Sequence, residues 1–286
     1  MATVLDEAPR TQAGDAVVAE LNYLAHGESR PVSWTFEPPA GTPWTTGELA
    51  PTRVTIRDAR PLAAAGEWSL DANGFQFVSH RSAVTPEDFG DESVIRLVYY
   101  PEAEALLRDA TGAAKVVIFD HTLRDSENGS RANKALREPV RRVHNDQTFV
   151  SGPRRVRDHL DAGEAAQRLQ HRFAIVNLWR PLNVVEQLPL ALCDARTISL
   201  DDLVPSDLVY RDKVGETYSF TANPAHRWYY FPRLRPDEAL LLKIYDSLED
   251  GTARLTAHTA FEDPTTAPDA PPRRSIELRA LLFWNT

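Results

Sequence analysis

The stretch TYSFTANPAHRWYYFPRLRPDEALLLKIYD (217–246) contains three short runs rich in aromatic and aliphatic residues: TYSFTA at 217–222, HRWYYFP at 226–232 and ALLLKIYD at 239–246. Pro, Asn and Arg separate them, and runs of this length bounded by turn-forming residues read as strands. The same pattern extends outward to RFAIVNLWRPL (172–182), PLALCD (189–194), RLTAHTAF (254–261) and SIELRALLFW (275–284). Seven such runs in succession predict an antiparallel barrel or sandwich. Upstream, RVTIRD (53–58), VIRLVYY (94–100) and KVVIF (115–119) also read as strands. PEAEALLRDATGA, opening on Pro101 and closing at Gly112, reads as a short helix. A second helix is expected from about Pro153 to Gln170, with Ser151 or Gly152 near its cap and its arginines on a solvated face. Helices before residue 170 and strands after it give an α+β class with a C-terminal β core.

Composition bounds the partners. The chain has 286 residues, 42% hydrophobic, enough for one large core or two small ones. Its formal charge of −9 argues against a nonspecific grip on nucleic acid or on an anionic membrane. A single cysteine, Cys193, removes disulfide frameworks, Cys-based zinc sites and iron–sulfur clusters together. A metal would therefore be held by His, Asp and Glu. Residues 1–18 lack a basic segment followed by an apolar run, and no stretch reaches the length of a membrane span, so a cytoplasmic protein is expected.

Of the eight histidines, His144 is the informative one, because RRVHNDQTF places Asp146 two residues after it. On an extended strand such residues share a face, so an imidazole and a carboxylate can meet one ion. A second histidine would complete the two-His-one-carboxylate triad that holds non-haem Fe(II) with open positions. His258 and His226 are both candidates. An oxygenase using a 2-oxo acid also needs a cation for the far carboxylate, and Arg is suited by its bidentate fork. PPRRSIELRA supplies Arg273 and, two residues on, Ser275. Arg273 follows His258 by a loop and one strand return, whereas two further strands separate it from His226, which favours His258. Arg279 and Arg180 are alternative cofactor contacts; Arg279 could instead pair with Glu277 or Asp246. Trp179, His226, Tyr229 and Tyr230 are candidates for the substrate pocket, although Trp228 and Tyr229 cannot both face inward on one strand. Cys193, inside an apolar run, reads as a buried small residue. No phosphate-binding Gly-rich loop, Gly-x-Ser-x-Gly elbow or His-Glu-x-x-His helix is present.

The series YYPEAEALL, TGAAKVVIFDHTLR, VHNDQT, NLWRPL, PLALCDART, NPAHRWYYFP, DEALLLKIYDS, AHTAFEDP and PPRRSIELRALLF runs in order from about residue 50 to the C-terminus. It resembles the family containing the cephamycin methoxylation component, the aspergillic acid hydroxylase/desaturase and the fungal meroterpenoid endoperoxidases. The resemblance implies an Fe(II)- and 2-oxoglutarate-dependent dioxygenase on a double-stranded β-helix, using O2 to oxidise a small-molecule secondary metabolite with release of succinate. Hydroxylation, desaturation, rearrangement and endoperoxidation are the possible outcomes. It puts the family's His-x-Asp on His144 and Asp146. One position departs: Arg274 stands where an acid is expected within Pro-Arg-x-Ser, with its side chain directed away from Arg273. Residues 1–286 are then expected to form one domain, 1–93 an N-terminal extension and 94–286 the core, with a homodimer as the plausible assembly. The competing readings are a zinc hydrolase or lyase on the same barrel and a non-catalytic partner component.

Overall fold

The computed structural model describes residues 16–28, 30–66, 68–130, 133 and 135–285, so the residues from which the absence of a leader was read lie largely outside the described part. In chain order its strands are β1 (Ala16–Leu24), β2 (Val32–Trp34), β3 (Leu49–Asp58), β4 (Phe75–Ser79), β5 (Lys115–Asp125), β6 (His144–Asn145) and β7 (Phe173–Pro181). They continue as β8 (Leu190–Cys193), β9 (Leu203–Val209), β10 (Val214–Phe220), β11 (Trp228–Tyr230), β12 (Glu238–Asp246), β13 (His258–Ala260) and β14 (Arg274–Phe283). A nine-stranded sheet has the order β1-β3-β11-β8-β13-β6-β10-β9-β2, and a five-stranded sheet the order β4-β12-β7-β14-β5. Pairing is antiparallel except at β3–β11 and β2–β9. Two facing sheets of mainly antiparallel strands, between which the chain alternates over β5–β8 and again over β11–β14, make the expected jelly roll.

Strand alternation sorts the side chains into three cores. Between the sheets lie Ile175 and Trp179 from β7, Leu190 and Leu192 from β8, and Leu240 and Leu242 from β12. The opposite face of the five-stranded sheet, with Val176, Leu178, Leu241, Ile276 and Leu278, packs on the helical segment that carries Ile95, Tyr99, Ala103 and Leu107. A third core fills the outer side of the larger sheet, where β1 and β3 bring Leu21, Tyr23 and Ile56 against Cys193, Phe220, Trp228 and Tyr230. Parallel bridges from Asn22 to Arg142 and from Leu24 to Thr221 curl the sheet back on itself around that core. Cys193 is fully buried there, and burial pushes its thiol up to about 12, so it is a packing residue.

Several elements differ from the sequence pattern. Residues 94–100, expected as a strand, are helical and run into the helix Tyr100–Thr111. Asp91 caps this segment by accepting from the Ser93 amide at 2.8 Å, and the spacing of Ile95, Tyr99, Ala103 and Leu107 buries one helical face, outweighing the β-preference of Val94, Ile95 and Tyr99. Pro101 lacks the N–H of a regular turn, and the turn before it, Ile95–Tyr99, widens to a π-helix. The helix expected over 153–170 is two helices, Ser151–His159 and Ala162–Arg168. Leu160 is extended between them and Asp161 caps the second through the Glu164 amide at 2.9 Å. The run 254–261 contributes only the short β13 to pairing. Strand β9 escapes the pattern because Pro205 interrupts it; β2 pairs only from Asp207 onward, so the missing N–H of Pro205 costs no ladder bond to β2.

Gly152 shows how tightly the first of these helices packs. A Cβ at this position would lie 2.4 Å from Cδ2 of Tyr245, whose ring stacks on Phe173 with centroids 5.1 Å apart. Gly152→Ala is expected to destabilise the fold by about 1–3 kcal/mol through overpacking, read as a lower thermal midpoint; an unchanged midpoint would contradict the packing.

Candidate metal centre

Strands β6 and β13 are neighbours, and His144 stands directly opposite His258 in their antiparallel pairing. His258 also lies opposite Leu192, an inner-core residue, so both imidazoles face the space between the sheets. Their ring centroids are 4.3 Å apart. Asp146 follows on the same face, with Oδ1 3.6 Å from Nε2 of His144. Among the described residues, His144, Asp146 and His258 form the one group of His, Cys, Asp or Glu donors close enough to share an ion, with ligand atoms all within 4.8 Å of one another.

The hydrogen bonds prepare these rings as ligands. Nδ1–H of His144 donates to the Arg142 carbonyl at 2.7 Å, and Nδ1–H of His258 points at the Thr256 carbonyl at 3.4 Å. A carbonyl only accepts, so Nδ1 carries the proton and Nε2 keeps its lone pair for a metal. Burial and the neighbouring His258 push the His144 imidazole down to about 3, and burial likewise lowers His258, so both are neutral at ordinary pH. Burial alone would raise the Asp146 carboxyl; Arg279, His258 and His144 outweigh it and hold the group well below the usual carboxylate range. Two neutral imidazoles and one anionic carboxylate, all oxygen or nitrogen donors, are the donor set that suits non-haem iron.

The inner face of β14 supplies the rest of the site. Arg273 is 2% exposed and its guanidinium lies 5.5 Å from the Trp179 ring centroid. It donates through Nη1 to the Leu188 carbonyl, while its Nε has no hydrogen-bond partner. Ser275 is fully buried and its Oγ is equally unpartnered. Burial, with Arg124 nearby, brings the Arg273 guanidinium down to about 9. A buried guanidinium whose Nε lacks an acceptor and a buried hydroxyl without a partner, two residues apart, form a cradle suited to an anion. His144, His258, Trp179 and Arg273 line one small cavity, joined by Asn177 and Glu277.

Other expected contacts lie elsewhere. Arg180 alternates to the opposite face of β7, where it donates to the His80 and Pro236 carbonyls at 2.8 Å each and to the Tyr99 hydroxyl at 3.2 Å. It fastens the helical layer to the sheet and does not reach the cavity. Arg279 faces inward, but three carboxylates occupy it: Asp146 at 2.7 Å, Glu277 at 2.7 Å and Asp120 at 3.0 Å. Asp246 is bound instead by Lys243 and Arg172. His226 is held far from the ligands in a structural network, between the Tyr23 hydroxyl at 2.9 Å and Asp202 at 3.0 Å. Tyr230 faces the third core against Phe261, and Tyr229 packs on Trp68 and Phe75; neither lines the cavity. Trp179 alone of the proposed pocket residues does. Arg274 is exposed, directed away from Arg273 as its strand position requires.

Arg124 and Asn177 line the same cavity without any cue that the sequence offered, and Glu277, expected only as a possible partner of Arg279, lines it too. Glu277 accepts from Arg124 at 2.6 Å as well as from Arg279, and these two cations hold its carboxyl down at about 2 against the opposing effect of burial. The Asn177 Oδ1 is buried without a partner. A signal was present: in RSIELR the apolar residues alternate with Ser275, Glu277 and Arg279, and a central strand with charges at every second position inside an apolar chain marks a polar inner face.

Comparison with known proteins adds the context. A family model described as "Oxidoreductase/YMDC permease-like domain" matches residues 21–283. No helix among the described residues is long and apolar enough to cross a membrane. The chain is 35% identical over 254 residues to the hydroxylase/desaturase efuI of Hormonema carpetanum, covering 81% of this chain and 83% of that protein. It is 34% identical over 266 residues to the Fe(II)/2-oxoglutarate-dependent dioxygenase nvfI of Aspergillus novofumigatus, covering 90% and 92% respectively. A solved structure of the iron and alpha-ketoglutarate-dependent endoperoxidase NvfI superposes with a TM-score of 0.83 at 30% identity, over 95% of this chain and 99% of that one.

The two arginines of the cavity should respond oppositely to removal. Arg273→Met in the ligand-free protein is expected to keep or raise the thermal midpoint, because it removes a buried cation without an anionic partner. Arg124→Met leaves Glu277 short of a cation and should cost about 3 kcal/mol. Equal losses from both variants in thermal melts would contradict this reading of Arg273.

Proposed function

This chain belongs to the family of the fungal hydroxylase/desaturases and Fe(II)/2-oxoglutarate-dependent dioxygenases, and from that premise we propose that His144, Asp146 and His258 hold its Fe(II). The convergence of these three donor atoms within 4.8 Å is the observation that carries the reading. Arg273 and Ser275 are proposed to bind the far carboxylate of 2-oxoglutarate, which would supply the acceptors that Nε and Oγ lack. Bound Fe(II), 2-oxoglutarate and O2 supply the oxidising chemistry, with decarboxylation of the oxo acid to succinate.

The chain's own residues bind, orient and exclude water. The two backbone-anchored imidazoles fix the direction of their Nε2 lone pairs, and Arg279 fixes the carboxylate of Asp146. Trp179 lies against the Arg273 guanidinium and shields it from solvent, which strengthens its attraction for a carboxylate. Apolar Leu190 and Leu242 wall the same cavity. The substrate is a small molecule, and its pose against these fixed groups selects the position oxidised. Hydroxylation is the default outcome, with desaturation, rearrangement and endoperoxidation as alternatives selected by pose. Residues 1–286 are read as one catalytic domain, since β1 and β3 close the third core and the family match begins at residue 21.

The test is succinate release with Fe(II) and 2-oxoglutarate. His144→Ala, Asp146→Ala and His258→Ala are each expected to lower it by about a thousandfold or more, because each leaves the metal with two protein ligands. His226→Ala is expected to keep metal binding. Zinc-dependent hydrolysis without any charge-transfer band on anaerobic addition of Fe(II) and 2-oxoglutarate would reverse the assignment, and so would metal loss confined to the His226 variant.

A further inference from the structure

The carboxylate of Asp146 is divided between two tasks. Its Oδ1 lies 3.6 Å from Nε2 of His144, on the side where the ligand atoms converge, while its Oδ2 accepts from Nε of Arg279 at 2.7 Å. Arg279 is itself fixed on its other arms: Nη1 donates to Asp120 at 3.0 Å and Nη2 to Glu277 at 2.7 Å. Its backbone sits where the pairing of β14 with β5 shifts register, between Arg279 and Ala280. A guanidinium anchored at three points has little freedom to release Oδ2.

We propose that Arg279 is a positioning residue that restricts Asp146 to one metal-facing oxygen and so reserves coordination positions for the chelating oxo acid. The inference rests on the metal assignment made above. A carboxylate can bind a metal through one oxygen or two. With two imidazoles and a single carboxylate oxygen as the protein's donors, a bound ion would keep positions for both oxygens of the chelating oxo acid. With Oδ2 free, Asp146 can take one of those positions itself. The positive charge of Arg279 acts in the same direction. It lowers the attraction of the site for a dication and raises it for a dianion, so its removal should move the two affinities oppositely.

The experiment uses the full chain with Mn(II), a redox-silent stand-in that needs no turnover. Metal affinity is read by electron paramagnetic resonance, 2-oxoglutarate affinity of the Mn(II)-loaded protein by calorimetry, and folding by thermal melt. Arg279→Gln is expected to bind Mn(II) as tightly as the parent or more tightly, and to bind 2-oxoglutarate at least about tenfold more weakly. A purely structural arginine would lower both affinities together with the thermal midpoint, and that result, or an unchanged 2-oxoglutarate affinity, overturns the proposal. If Arg279→Gln does not fold, Glu277→Gln decides: it keeps the Arg279–Asp146 bond, so 2-oxoglutarate affinity should be kept or raised while Mn(II) affinity falls, and a loss of 2-oxoglutarate affinity overturns the proposal. Failure of the parent to bind 2-oxoglutarate in a metal-dependent manner counts instead against the metal assignment.

Discussion

The pairing of β6 with β13 is the constraint on which the site depends. It is short, one residue pair, yet it sets two imidazoles from distant parts of the chain opposite each other on the inner face of the sheet. A one-residue slip in either strand would turn one ring outward into the third core and leave the other without a counterpart. The flanking ladders prevent such a slip. Strand β13 is also pinned by three pairs to β8, and β6 by two pairs to β10. The third donor needs no further topology, because Asp146 stands two residues after His144, just past the end of β6.

Burying charge between two sheets is costly unless each charge meets a partner, and this site shows how the chain meets that demand. Asp146 and Glu277 share Arg279, Glu277 also takes Arg124, and Asp120 closes the network at the rim. Arg273 stands outside it. Among the described residues its guanidinium donates to one backbone carbonyl, and it rests on an aromatic face. The contrast between a saturated cluster and one underused cation separates the groups that build the site from the group that receives something. Burial of a polar atom is informative chiefly when its partner is absent.

Most of the fold was legible because strand periodicity and turn residues are local signals. The runs at 172–182, 189–194, 239–246 and 275–284 became β7, β8, β12 and β14 nearly residue for residue. What failed was set by tertiary packing. Residues 94–100 carry a β-like composition, and only the sheet face beneath Ile95 and Tyr99 makes them helical. At the site, the pairing of imidazole and carboxylate in His144-x-Asp146 was readable from strand geometry, and the choice of His258 followed from the order of strands. The exclusion of Arg180 was not readable, since its facing depends on which side of β7 looks toward the second sheet. Nor was the full set of partners of Arg279, which come from β5, from the residue just after β6 and from its own strand at once.

The parallel pairing of β3 with β11 has a consequence for how the molecule is made. Residues 49–58 find their neighbour at 228–230, and residues 144–145 find theirs at 258, while β14, the last strand, is inserted between β7 and β5 in the other sheet. Most of the contacts between strands join segments far apart in sequence, the kind of topology in which loop closure precedes reward and folding is slow. During synthesis the N-terminal strands emerge with their apolar faces uncovered and wait for almost the whole chain before either sheet can be completed. The cavity between the sheets is therefore among the last things to form, and the early chain must remain unaggregated without any help from a ligand that binds there.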